Sequence, residues 1–520
     1  MSRGDALDVL EGLADWAVEQ ADCLELLALL PDNCVDAIVT DPPAGIEFMG
    51  KGWDRFTGRL PTPNGQQTDV WDTNAGTPFA RRPTPRPRGK TNLSLQPFQD
   101  FIAEVFAEVL RVLKPGGHAL VWALPRTSHH TMMGLERAGF DIRDVIVHLQ
   151  SQGFPKGLDV AKAISKMEAG FPQGGAYPES PNHGKYKGGT IKAGHATGRG
   201  FGAGPGQFLT GEEVPFDVDL SETGKQWDGW NVALKPAAEY WVLARKPPSE
   251  PNVAQNVLKW GTGAINVGAT RVGAEPVLIN TWDDGSKPFG GGAGHPYTGR
   301  TQAGRWPANL TLQHDDRCVE TGDEDGKEIT PVWACPPFCP VRMLDESVPG
   351  QKSGGTPKTR RADKFRAVYS GFKGAESESG IRSSAGAVSR FFYTAKASRS
   401  ERETGLAEAG IEPARSLYRP NDPDEASDLV DRLHGSVPRR NDHPCLKPIA
   451  LMKWLTRLVT PPNGLILDPF AGSGTTGIAA VTQDFRCLMI EQDERYCQIA
   501  AARVAYWEQQ REVEAKEGKP

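Results

Sequence analysis

Two aspartates, each followed by proline, stand more than 400 residues apart in a chain of 520 residues, and each closes an apolar run. Asp41 ends the run 35–40 (VDAIVT) and is followed by Pro42 and Pro43. Neither proline can donate to a strand ladder, so the strand must stop there. A carboxylate and a backbone carbonyl in so stiff a loop can accept both hydrogens of an amine conjugated to a ring. The lone pair is then localised toward an electrophile, and the negative site favours a nitrogen that grows positive. The second aspartate, Asp468, ends a strand within LILDPFAGSGTTGIAA. Behind it, Gly472 and Gly474 let the backbone approach a ligand, and a helix opening at Thr475 offers unpaired N–H groups. About 20 residues beyond the turn, Glu491 ends the apolar stretch CLMIE, where an acid is placed to accept from ribose hydroxyls.

A second group of reactive side chains is compact. His314 and Cys318, then Cys335 and Cys339, form two pairs of the type x3 within 26 residues. The pattern fits a structural tetrahedral zinc site that orders a loop-rich segment, and it fits equally buried thiols beside a surface histidine. The remaining cysteines (Cys23, Cys34, Cys445, Cys487 and Cys497) are scattered, and 8 in 520 residues are too sparse for a disulfide scaffold. They read as buried thiols in a reducing compartment.

The elements that must position these groups lie at the two ends of the chain. Near the N-terminus, after the strand 35–40, apolar spacing predicts a helix over 97–113. A turn follows at Lys114-Pro115-Gly116-Gly117, then a strand over 118–123, a helix near 128–138 and a strand near 145–149. The C-terminal end predicts helix 449–459, strand 464–467, helix 474–481, strand 486–490 and helix 494–508. The alternation is that of an α/β protein with a doubly wound, mostly parallel, Rossmann-like sheet to which both ends contribute. Between them, 174–206 and 285–304 are rich in glycine with almost no periodicity and read as long loops.

Composition bounds the rest. An apolar fraction of 38% with 58 glycines and 42 prolines suggests a packed core carrying long insertions. No apolar run approaches a bilayer span and the first residues lack a signal-peptide core, so a cytoplasmic protein with no membrane partner is expected. A net charge of −6 does not advertise a polyanion binder, yet the basic runs 81–90 and 352–366 offer local phosphate contacts.

The segment Asp468-Pro469-Phe470 with its glycine turn resembles the cofactor motif D-P-F-x-G-x-G-T-T of the N6-adenine/N4-cytosine DNA amino-methyltransferases. His443 to Pro448 (HPCLKP) is similar to that family's H-P-x-x-K-P. The resemblance implies S-adenosylmethionine as cofactor. Asp468 would lie near the methionine amine, Phe470 and Gly472 along the cofactor, Glu491 on the ribose and Lys447 at the carboxylate. Asp22, in Ala21-Asp22-Cys23, resembles the family's G-D-C and would touch the adenine; it serves equally as a helix cap. Asp41-Pro42-Pro43-Ala44 resembles D-P-P-Y with Asp41 as the acceptor of the target amine, but Ala44 replaces the ring that stacks on a flipped base. Stacking of that kind is worth roughly 1–3 kcal/mol. Phe48 or Trp53, in a continuation that also resembles some of these methylases, would supply a ring, with Tyr393 a third candidate.

The order of motifs, catalytic before cofactor-binding, is similar to the beta class. That resemblance implies a catalytic half over 1–165, a glycine-rich insertion at 166–230, the last strand of that half at 231–247, a target-recognition module at 248–438 and a cofactor half at 439–520. The expected partner is double-stranded DNA, methylated at an exocyclic amine of a flipped base within a specific sequence, with adenine N6 favoured over cytosine N4. A homodimer is compatible with the reading. The alternatives are a DNA-binding relative that has lost turnover, for which Ala44 is the telling residue, and methylation of RNA or of a protein amide.

Overall fold

The fold comes from a computed structural model that describes residues 4–45, 95–150, 158–168, 220–281, 298–315, 318–320, 333–337, 339–347, 352–353, 384–385, 389, 392–396, 400–413, 439–443 and 445–516. The chain forms two compact units. The first comprises Met1–Val145, Gln152–Ala264 and Ser398–Pro520; the second comprises Ile146–Ser151 and Ile265–Ala397.

The strands in chain order are β1 (Trp16–Gln20), β2 (Val35–Thr40), β3 (Leu113–Ala123), β4 (Asp141–Leu149), β5 (Ala238–Arg245), β6 (Val272–Thr281), β7 (Thr298–Arg305) and β8 (Leu310–His314). There follow the two-residue strands β9 (Val319–Glu320), β10 (Trp333–Ala334), β11 (Lys352–Ser353) and β12 (Ser384–Ala385), then β13 (Tyr393–Lys396), β14 (Leu465–Asp468) and β15 (Arg486–Glu491).

In the first unit the sheet order is β1-β15-β14-β2-β3-β5-β4. From β1 to β3 every neighbour is parallel, and β5 returns antiparallel to β3. The two ends of the chain therefore build one sheet, as their alternation predicts. They are interleaved: the C-terminal β14 and β15 sit between the N-terminal β1 and β2. Strands covered on both faces lose the apolar–polar alternation, and all six residues of β2 and all four of β14 are buried. The helix Gln96–Val112 lays Phe98, Ile102, Val105, Phe106 and Val109 into this core.

Some boundaries differ from the sequence reading. The segment 114–117 is a bulge inside β3, whose pairing with β2 jumps from Val35 opposite Leu113 to Ala37 opposite His118. The bulge is held from outside, because Pro115 cannot donate to the ladder. Buried Asn256 Nδ2 and Thr262 Oγ1 donate to its carbonyl at 2.8 and 2.6 Å. The last helix runs Glu494–Lys516, further than its apolar spacing predicts. The short β1 was not anticipated.

The second unit carries the antiparallel pair β6–β7 and a parallel set in which β8 lies between the end of β4 and β13. Its buried apolar cluster consists, among the described residues, of Leu312, Cys318, Cys339 and Val341.

Candidate active site

Because β14 pairs with β2 in parallel register (Ile466 opposite Ala37, Leu467 opposite Ile38), the two Asp-Pro strand ends emerge side by side. The carboxylate of Asp468 is buried and fully engaged. Thr40 Oγ1 donates to one oxygen at 2.6 Å, Thr476 Oγ1 to the other at 2.5 Å, and the Phe470 N–H adds a bond of 3.1 Å. Burial pushes this acid up to about 6, against the pull of the two hydroxyls. It staples β2, β14 and the helix Thr475–Val481 to one another.

The turn behind Asp468 is shaped by two glycines in left-handed conformations, Gly472 (φ 52°) and Gly474 (φ 78°). A side chain at either would also collide, since a Cβ would stand 2.8 Å from the His443 ring at 472 and 2.8 Å from Ala500 at 474. The Gly472 N–H donates to Glu491 Oε2 at 2.8 Å and the Asp493 N–H to Oε1 at 2.9 Å. Burial raises the Glu491 acid, opposed by these backbone donors. Underneath, the fully buried Arg503 donates to the Ser473 carbonyl at 2.5 Å and reaches Thr475 Oγ1 at 3.4 Å. Burial lowers its guanidinium to about 10.

At the end of β2, Asp41 is half-buried and Pro42 buried. Lys447 Nζ donates to Asp41 Oδ2 at 2.5 Å and lies 4.1 Å from the centroid of the Trp122 ring. The Trp122 indole in turn donates to Glu239 Oε2 at 2.9 Å. Burial disfavours the Lys447 charge, but the carboxylates of Asp41 and Glu239 outweigh it and hold the amine protonated. Four residues before Lys447, His443 is driven down to about 3, chiefly by burial and then by the Lys447 charge, so its ring is neutral. Its Nδ1 accepts from the Cys445 N–H at 3.3 Å, and its ring meets Tyr496 edge-on at 4.7 Å.

The sequence-predicted residues Asp41, Pro42, Pro43, Lys447, Asp468, Phe470, Gly472, Gly474, Thr475 and Glu491 all belong to the first unit. There Lys447 is engaged by Asp41, whereas the family resemblance assigned it to a cofactor carboxylate. Of the two readings of Asp22, the helix cap is present, its side chain accepting from the Leu24 N–H at 2.9 Å. Phe470 packs on Phe101 with centroids 6.1 Å apart. Phe48 and Trp53 lie outside the described residues, as do the basic runs except Lys352 and Ser353; Tyr393 sits in β13 of the second unit. The metal-type set is assembled there: ligand atoms of His314, Cys318, Cys335 and Cys339 all lie within 4.8 Å of one another.

Sequence reasoning missed Trp122, Glu239, Thr40, Thr476 and Arg503. Trp122 had a usable signal, because it closes an apolar run at the carboxyl end of a parallel strand, where ligands of open α/β sheets collect. Arg503 had a weaker one, a charge among apolar positions of a helix.

A family profile described as DNA methylase matches residues 226–502. Type II methyltransferase M2.MboI of Moraxella bovis is 43% identical over 61 residues, 12% of this chain and 22% of that protein. Type II methyltransferase M.ScaI of Streptomyces caespitosus is 40% identical over 65 residues, 12% of this chain and 21% of that one. The chain spans about a fifth to a third of the length of the curated relatives it matches. Among solved structures, the cytosine-N4-specific PvuII DNA methyltransferase aligns at 11% identity over 94% of this chain and 86% of its own, with a TM-score of 0.35.

Proposed function

The chain belongs to the DNA methylase family, and from that premise we propose that it transfers a methyl group from S-adenosylmethionine to the exocyclic amine of a base flipped out of double-stranded DNA. The observation that carries this reading is the adjacency of two Asp-Pro strand ends on parallel neighbours, one half-buried and one sealed.

The residues of the glycine turn suit this cofactor. With no Cβ at Gly472 or Gly474 the turn packs directly against the His443 ring and Ala500, which keeps it tight at the end of the strand. The Glu491 carboxylate accepts backbone N–H groups of Gly472, Asp493 and Gln492, and its two oxygens have acceptor capacity left for a ribose hydroxyl. Glu491, Phe470 and Gly472 would hold the cofactor, with Asp22 toward its adenine and the carboxylate of Asp468 keeping the turn in shape. Bound there, S-adenosylmethionine supplies an electrophilic methyl on a sulfonium.

Asp41 accepts from the target amine, with a backbone carbonyl of the proline loop as second acceptor. The nitrogen lone pair is drawn out of ring conjugation and aimed at the methyl. With the cofactor bound, the N–C bond would form as the methyl–sulfur bond breaks to leave a neutral thioether, and the Asp41 carboxylate would stabilise the positive nitrogen until its proton passes to solvent. Lys447 must then yield Asp41 Oδ2 to the incoming amine. Flipping is required because the amine is out of reach inside the stack. The aspartate ahead of Pro-Pro favours adenine N6 over cytosine N4, and the module between the two halves would read the flanking sequence. Ala44 supports a second reading, a relative with weakened turnover, because the loop itself brings no stacking ring.

The test is transfer from methyl-labelled S-adenosylmethionine to mixed genomic duplex DNA, followed by nucleoside chromatography. Label in N6-methyladenine is the expected result, and label in N4-methylcytosine corrects the base alone. Cofactor binding without transfer to any DNA establishes the weakened relative instead.

A further inference from the structure

The second unit offers a site that the methylation chemistry does not use. His314 closes β8, Cys318 lies four residues on, and Cys335 and Cys339 both precede the helix Pro340–Ser347, Cys339 immediately. Nδ1 of His314 lies 3.3 Å from Cys335 Sγ and 3.7 Å from Cys339 Sγ, and all four ligand atoms fit within 4.8 Å. Tetrahedral zinc bonds of about 2.3 Å to sulfur and 2.0–2.1 Å to nitrogen imply ligand separations of roughly 3.8 Å for S···S and 3.6 Å for N···S. The cluster therefore has the dimensions of one metal ion; two or more irons would hold their outer thiolates wider apart.

The backbone also suits a ligand set. The Cys318 N–H donates to the Asp315 carbonyl and the Cys339 N–H to the Pro336 carbonyl, both at 3.0 Å, so each pair closes on a tight turn. Arg342 Nη1 donates to the Cys335 carbonyl at 2.7 Å, tying that loop to the helix. His314, Cys318 and Cys339 are buried, and no cysteine is in a disulfide. Packing points the same way. Among the described residues, two of the four in the buried cluster of this unit are the cysteines themselves, Cys318 and Cys339, beside Leu312 and Val341. Thiolate–metal bonds made there would lie within that cluster and add cohesion to it.

We propose that His314, Cys318, Cys335 and Cys339 bind one zinc ion, which ties β8 to the helix Pro340–Ser347 and has a structural role. Binding releases the three thiol protons, and four protein ligands leave no open position for a substrate or water.

The experiment uses the full chain purified under reducing conditions without chelator. Elemental analysis is expected to find about one zinc per chain, falling at least tenfold in the Cys335→Ser/Cys339→Ser double variant. Since that variant can misfold, the wild-type chain is also stripped with a chelator at low pH and refilled with cobalt(II). Visible d–d bands of a tetrahedral thiolate site are expected, bleached by one equivalent of zinc. A chain that is folded, holds below a tenth of an equivalent of any metal after growth in zinc-supplemented medium, and gives octahedral cobalt bands on titration overturns the proposal. So does a Cys318–Cys335 or Cys318–Cys339 disulfide in the freshly isolated protein.

Discussion

Asp41 and Asp468 end neighbouring parallel strands, each is followed by proline, and their environments are opposite. Asp468 is buried, accepts two threonine hydroxyls and a backbone N–H, and is raised to about 6. Asp41 remains half-buried and is satisfied by Lys447, a partner on a different segment that sits over Trp122. Partners built into the strand and the turn make an aspartate part of the frame. A partner at the end of a long, rotatable side chain leaves the other available to a ligand. Both residues close a strand ahead of proline; what their oxygens bond to separates the tool from the scaffold.

The largest effect that tests this contrast falls on Asp41. Asp41→Asn is expected to lower methyl transfer by about 1,000-fold, the scale of losing a charge aimed at a transition state. It also strands the buried Lys447, which carries its own stability cost. Adding Lys447→Gln is expected to recover the melting temperature without recovering the rate. If the double variant regains more than a tenth of the activity, Asp41 serves to balance Lys447 and not to hold the amine.

A smaller effect belongs to Asp468 and is read in stability. Its acid is near 6 when folded, against about 3.9 unfolded, so the folded chain binds the proton more tightly between those values. The unfolded state holds fewer protons in that window, and the slope of stability against pH is negative there. Stability is therefore expected to fall by about 2 kcal/mol from this group as pH rises from 4 to 7. Denaturant titrations of wild type and Asp468→Asn across that range, subtracted, isolate the term from other carboxylates. A difference curve that is flat in pH would mean that Asp468 is not buried as an acid.

The alternating ends of the chain were legible because their strands are uniformly apolar and their turns carry glycine and proline in fixed places. That both ends build one sheet followed from that grammar, whereas the pairing of Ile466 with Ala37 did not. What stayed illegible were contacts that no local pattern encodes. Thr40 and Thr476 read as ordinary strand and helix residues, and their common bond to Asp468 exists only after β2 and β14 come together across the sheet. The Lys447–Asp41 pair joins residues of two separate motifs, each recognised for a ligand and neither for the other. The bulge at 114–117 looked like a turn because Pro115 and Gly116 break a pattern in the same way whether the strand ends or steps aside.

The smallest of these effects is the most specific. Thr476 Oγ1 gives Asp468 Oδ2 a bond of 2.5 Å, and valine keeps the shape of the side chain while removing the donor. Thr476→Val is expected to cost about 1–2 kcal/mol where Asp468 is ionised, the usual penalty for a buried acceptor deprived of a bond to its charge. Withdrawing a donor from the carboxylate raises its proton affinity further, so the pH-dependent fall in stability should move above 6. The loss then shrinks toward pH 4, where the acid is protonated in wild type and variant alike. Denaturation midpoints at both ends of the range check the sign. An equal loss at pH 4 and pH 7 would assign the cost to packing around the helix Thr475–Val481 and remove Thr476 from the electrostatic frame of the turn.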